Sequence, residues 1–222
     1  MSITLDEINQ VLINTGSFIV HCAGYAKGIG FSTQEVGYLE RISKVISEKP
    51  PISCSSVHVG DSADTHLTGQ IGLILIPNHQ CSISHASPQD AGTSVDDRNT
   101  AKLQKLTISL TDLKHAIENR VDGSYNELCL YNYDVHGIFY TRLPVEFSHN
   151  PTDEDLADDT GNGIVNPNQF NSIAINDMNS EGLPVYQFEN GNFYLANFDG
   201  NKYVRSASLI LVSDVLKIST KN

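Results

Sequence analysis

The stretch "GSYNELCLYNYDVHGIFYTR", residues 123–142, reads as a β-hairpin of Tyr, Leu, Val, Ile and Phe. Branched and aromatic side chains of this kind favour strands because they pack well on a pleated surface. One acidic residue, Glu127, interrupts the pattern. A carboxylate on a sheet face either points into water or is held in a site, because burying a charge without a partner is costly.

Working outward, "LTISL" at 106–110 reads as a strand, and "TDLKHAIENR" at 111–120 as a helix capped by Thr111 with Leu113, Ala116 and Ile117 inward. Further upstream, "ISCSSVHVG", "QIGLILIP" and "CSISHAS" are strands separated by polar turns. The N-terminal part predicts a helix in "TLDEINQVLIN", with Thr4 as N-cap and Leu5, Ile8, Val11 and Leu12 at helical spacing. A short buried strand, "SFIVHCAG", follows it. "FSTQEVGYLERISKVISEKPP" then predicts a helix that opens at Ser32 or Thr33, buries Val36, Leu39, Ile42, Val45 and Ile46, and stops at Pro50.

Downstream, residues 148–172 are acidic, Asn-rich and turn-rich, and read as an irregular surface excursion. The tail returns to strands, "LPVYQF", "FYLANF" and "KYVRSASLILVSDV", joined by turn signals at Asn190-Gly191 and Asp199-Gly200. These elements predict an α+β fold: a split antiparallel β-sheet core with two or three helices and an extra C-terminal β segment. The expected organisation is a core over 1–147, an acidic loop over 148–172 and a β extension of the same domain over 173–222.

Composition narrows the function classes. A chain of 222 residues can bury a substantial core. Its 14 basic and 26 acidic residues give a net charge of −12, which repels a phosphate backbone and argues against nucleic acid as a partner. The absence of a long apolar run or a charged-then-apolar leader predicts neither a membrane span nor a cleaved signal. Cys22, Cys54, Cys81 and Cys129 are scattered, with no CxxC pair and no Cys/His spacing suited to zinc. Reduced thiols in a cytosolic compartment are the simplest reading, although an even count leaves two bridges open.

Three stretches in the same chain order resemble the ADP-ribosyltransferase superfamily. "YNELCLYNYDVHGIFYTR" is similar to the Tyr-Asn-Glu strand of the poly(ADP-ribose) polymerase type, and "TGQIGLILIPNHQCSISHAS" at 68–87 to its Gly-Leu-Ile-Leu strand. "YAKGIGFSTQEVGYLERI" at 25–42 resembles its Gly-Ile-aromatic-Phe strand, and equally the Phe-Ser-Thr strand of the cholera-type branch. Four features depart from the pattern: His21 is followed by Cys22 where the polymerase branch has His-Gly, no Arg precedes Arg41 where the cholera-type branch has one, Ser32 follows His21 by only eleven residues, and Gly30 stands where an aromatic is expected.

The resemblance implies NAD as substrate and ADP-ribosyl transfer to a protein, or NAD hydrolysis. Breaking the nicotinamide–ribose bond builds positive charge on the sugar, which a fixed carboxylate stabilises. Glu127 would be that catalytic group, with His21, Ser32, Tyr25 and Asn126 at the cofactor, His21 on the adenosine ribose and Ser32 positioning Glu127. A bacterial toxin or effector is the implied setting, made in the cytoplasm and passed to a host or rival cell without a cleaved signal.

Other readings stay open. Glu127 can be a solvent-facing residue of an alternating hairpin, in a non-catalytic protein-binding module of effector or immunity type. "HCAGYAK" at 21–27 resembles the opening of cell-wall cysteine peptidases, with Cys22 as nucleophile, but the residue before Ile71 is Gln70, which cannot take a proton unless His66 or His85 substitutes. Cys54 and His58, four apart on a strand, lie roughly 13 Å from each other, too far for a dyad. "DDTGNGIVNPNQ" at 158–169 has calcium-loop oxygen spacing but ends on Gln169 where a bidentate Glu is wanted, so a polar turn is preferred.

Overall fold

The computed structural model describes residues 3–23, 42–62, 67, 71–89, 108–120, 125–141, 175–176, 179–200 and 202–216. It is an α+β fold. Helix α1 (Leu5–Thr15) is capped as its sequence predicts. The Thr4 hydroxyl accepts from the Glu7 amide at 3.2 Å, and the Glu7 carboxylate accepts from the Thr4 amide at 2.8 Å. This reciprocal pair satisfies two amides that a helix start leaves without partners.

The described part of the second helix, α2, covers 42–48 and buries Ile42, Val45 and Ile46. The expected start at Ser32 or Thr33 lies outside the described residues. Helix α3 (Leu110–Glu118) corrects the reading of "LTISL" and of Thr111 as its cap. Ser109 is the N-cap, its hydroxyl accepting from the Asp112 amide at 3.1 Å, and Leu110 already belongs to the helix. A short helix, α4 (Val212–Val215), replaces the end of the last expected strand.

The strands are β1 (Phe18–Ala23), β2 (Ile52–Val57), β3 (Ile71–Pro77), β4 (Ile83–Ser87), β5 (Glu127–Leu130), β6 (Tyr133–Tyr140), β7 (Val185–Glu189), β8 (Asn192–Phe198) and β9 (Tyr203–Ile210). They lie in the order β4-β5-β2-β1-β3-β6-β7-β8-β9. Described neighbours pair antiparallel except β6 with β7, which run parallel. The C-terminal strands thus continue the same sheet.

The expected hairpin of 123–142 is not formed. β5 pairs with β2 and β4, whereas β6 pairs with β3 and β7. The two-residue link Tyr131-Asn132 crosses between them, tied down by bonds from the Tyr131 amide to the Ser82 carbonyl and from the Asn78 amide to the Asn132 carbonyl.

Strand β2 is the fork of the sheet. Its residues Ser55, Ser56 and Val57 pair with β1, and Ile52, Ser53 and Cys54 pair with β5. Helices α1 and α3 pack on each other, α1 against β3 and α3 against β4. An aromatic cluster fills the other wing: Phe193 lies 5.0 Å from Phe18, 5.2 Å from Phe139 and 5.2 Å from Phe188, centroid to centroid.

Gly72 and Gly191 are among the glycines dictated by close approach. A Cβ on Gly72 would fall 2.5 Å from the Phe139 ring and 2.6 Å from the His21 carbonyl. At Gly191, with φ +75°, a Cβ would stand 1.8 Å from the His58 carbonyl, and with Asn190 at φ 49° this forms the expected β7–β8 turn.

Candidate functional site

Glu127 opens β5 and is buried, with 3% of its surface exposed. The carboxylate is held inside the fold, not displayed in water. Its Oε1 accepts the Ser53 hydroxyl at 2.8 Å. Ser53 pairs with Cys129, two residues along β5, so Ser53 and Glu127 share one face of the sheet.

The same Ser53 holds His21. Backbone pairing of β1 with β2 is described as far as Val20↔Ser55. Beyond it, His21 Nδ1 lies 2.8 Å from the Ser53 carbonyl oxygen. A carbonyl can only accept, so the bond fixes the hydrogen on Nδ1. Ser53 thus makes two contacts at the fork: its main-chain carbonyl meets the His21 ring from β1, and its hydroxyl meets the Glu127 carboxylate from β5.

Asn126 is drawn away from the role expected for it. It is fully buried, and its amide is spent within the fold. Oδ1 accepts from the Ser56 amide at 2.7 Å, and Nδ2 donates to the Ser56 hydroxyl at 2.8 Å and the Ala116 carbonyl at 2.9 Å. The Ser55 hydroxyl adds a bond to the Asn126 carbonyl at 2.8 Å. Asn126 therefore pins the start of β5 to β2 and α3, and so sets where Glu127 stands. Offering the amide to a cofactor would break these bonds.

A second clamp holds the far end of β2. Arg120 grips Asp61 with two bonds, of 2.7 and 2.6 Å, and donates to the Ser56 carbonyl at 3.1 Å. Burial works to raise the Asp61 carboxyl, but hydrogen bonds from Arg120 and the His58 amide, with the Arg120 charge, hold it below the usual carboxylate range.

Ser32 and Tyr25, the other residues expected at the cofactor, lie outside the described residues, as do Gln70, His66 and the calcium-like segment 158–169. Cys22 sits within β1 and not at a helix N-terminus, the setting that would favour a nucleophilic thiolate. Cys54 is equally unsuited: burial pushes its thiol well up, helped by Cys129, Cys22 and Glu127 nearby. All four cysteines are thiols and none is bridged. Among the described residues, no helix is long and apolar enough to cross a membrane.

Ser53 is the residue that sequence reasoning missed. A serine in a strand is ordinary, and its meaning depends on which strands flank it. The available signal was the serine run of "ISCSSV" in an otherwise apolar strand. No protein-family model matches the chain, and neither does any curated protein or any solved structure.

Proposed function

We propose that this protein cleaves the nicotinamide–ribose bond of NAD and transfers ADP-ribose to a protein, or to water. The observation that carries the reading is the buried Glu127 carboxylate, oriented by Ser53 at the fork where His21 also arrives. As the bond from ribose C1′ to the pyridinium nitrogen breaks, its electron pair leaves with nicotinamide and positive charge spreads over C1′ and the ring oxygen. A carboxylate already fixed beside the sugar stabilises that charge without reorganising, and accepts a ribose hydroxyl.

Ser53 keeps the carboxylate in one orientation. His21, held by its Nδ1 bond to the Ser53 carbonyl, takes in this reading the adenosine-ribose contact that the resemblance implies. The toxin or effector setting, with delivery into another cell, rests on the resemblance and belongs to this proposal.

One observation favours a binding module instead. Phe198, Val204, Leu209 and Leu211, on and beside β8 and β9, are exposed apolar side chains. Calorimetry with NAD separates the two, joined to transfer of labelled ADP-ribose in a eukaryotic cell lysate. The transferase reading expects binding that survives Glu127→Gln, and label transfer that does not. No heat with NAD and no label in either protein would leave the binding module.

A further inference from the structure

β4 carries a bulge whose effect is to aim a histidine at the carboxylate face. Its register with β5 starts at Ile83↔Leu130 and then shifts, so that His85 meets Cys129, Ala86 meets Leu128 and Ser87 meets Glu127. Two steps along β4 match one along β5, which is the signature of an inserted residue. In an unbroken strand, residues 83, 85 and 87 would share one face, and Ile83 stands opposite Leu130. His85 would then oppose Leu128 and lie on the leucine face. The bulge moves His85 and Ser87 to the face of Cys129, Glu127 and Ser53.

His85 consequently lies diagonal to Glu127, about 7–8 Å away by strand geometry. It stands on the opposite side of β5 from Ser53 and His21, on the strand that ends the described sheet order. Its Nε2 is shielded from solvent and has no hydrogen-bond partner among the described residues. A buried ring nitrogen without a partner is costly and calls for one from elsewhere.

We propose that His85 is the base that receives the proton of the acceptor, a hydroxyl group of a target protein, with water in its place when no target is present. This rests on the transferase reading given above. In the step, the acceptor oxygen forms a bond to ribose C1′. The bond from C1′ to nicotinamide breaks with its electron pair on nicotinamide, and the acceptor proton passes to His85 Nε2. Glu127 faces the developing cation, while His85 works from the β4 side, and the acceptor has to displace the cover over Nε2 to reach it. An acceptor that is already ionised, such as a carboxylate, would not need this residue.

The test is nicotinamide release and label transfer by wild type, Glu127→Gln, His85→Ala and His85→Gln, each checked for cooperative melting. The expected result is an on the order of 10²-fold loss of turnover in both His85 variants. NAD affinity should be retained, and added free imidazole should restore part of the activity of His85→Ala but not of Glu127→Gln. Such rescue is not expected if His85 only supports packing. Turnover that is abolished by Glu127→Gln yet unchanged by His85→Ala, or lost without rescue in a well-folded variant, overturns the role of His85 alone. Absence of turnover in the wild type overturns the transferase reading and this inference with it.

Discussion

The Ser53 hydroxyl donates to the Glu127 carboxylate at 2.8 Å, across the two strands that meet at the fork of the sheet. This bond supplies the Glu127 carboxylate with a donor in a strand that is buried along its length. It also makes Ser53 the handle by which the site can be loosened without removing the carboxylate.

Ser53→Ala should therefore weaken activity without abolishing it. A hydrogen bond to a charged group is worth about 1.5–3 kcal/mol, which corresponds to roughly a 10- to 10²-fold fall in turnover if the orientation it provides matters in the transition state. Steady-state nicotinamide release at saturating NAD checks this. The loss should appear in kcat more than in KM, since Glu127 is proposed to act on charge that develops during the reaction.

The Asp61–Arg120 clamp should impose an acid limit on stability. Burial opposes ionisation of Asp61, but the hydrogen bonds and charge of Arg120 and the His58 amide win, leaving its folded pKa below the unfolded value. Stability from this group is thus fully present above the unfolded pKa of about 3.9 and is lost as pH falls through the lower folded value. Urea midpoints measured from neutral pH down should show this acid-side loss, and Asp61→Asn should remove that part of the slope. Arg120→Ala, which takes the guanidinium away from a buried carboxylate and leaves it the His58 amide, should cost on the order of 3 kcal/mol at neutral pH.

His136 predicts a second pH dependence, closer to neutrality. Its ring stacks on Tyr186 at 5.7 Å, and the Tyr186 hydroxyl lies 3.0 Å from Nε2. Burial holds its pKa below the ordinary histidine value, so the neutral ring is the folded form and accepts the tyrosine hydrogen. The unfolded chain takes up the proton first as pH drops. This stability is present above about pH 6.5 and declines below it until the folded value is passed. Wild type should lose more of its urea midpoint between about pH 7.5 and 5.5 than His136→Phe does, and equal slopes would contradict the assignment.

Much of the secondary structure was legible in short stretches. The Thr4 cap of α1, the spacing of Leu113, Ala116 and Ile117 in α3 and the Asn190-Gly191 turn are local signals with local causes. The start of α3 was legible too, because Ser109 with Asp112 three residues on is a capping pattern, but the branched residues of "LTISL" suggested a strand.

The hairpin at 123–142 fails for a local reason and a non-local one. Tyr131-Asn132 lacks the glycine of a tight turn, and neither residue has positive φ, whereas both Asn190 and Gly191 do. Which strand pairs with β5 is set by Asn126, Ser55 and Ser56, and by the turn around Ser82 that holds Tyr131. Glu127 and His21 were visible as candidates, but Ser53 emerges only once β2 is known to lie between them.

The decisive measurement is nicotinamide release from NAD by the wild-type chain and by Glu127→Gln, which keeps the size and one accepting oxygen and removes the charge. A transferase acting through Glu127 gives steady release by the wild type and a fall of at least roughly 10²-fold in the variant, with its thermal unfolding still cooperative. Equal release by the two proteins, or none by a folded wild type that also fails to bind NAD, would contradict it and leave Glu127 as a structural carboxylate at the fork of the sheet.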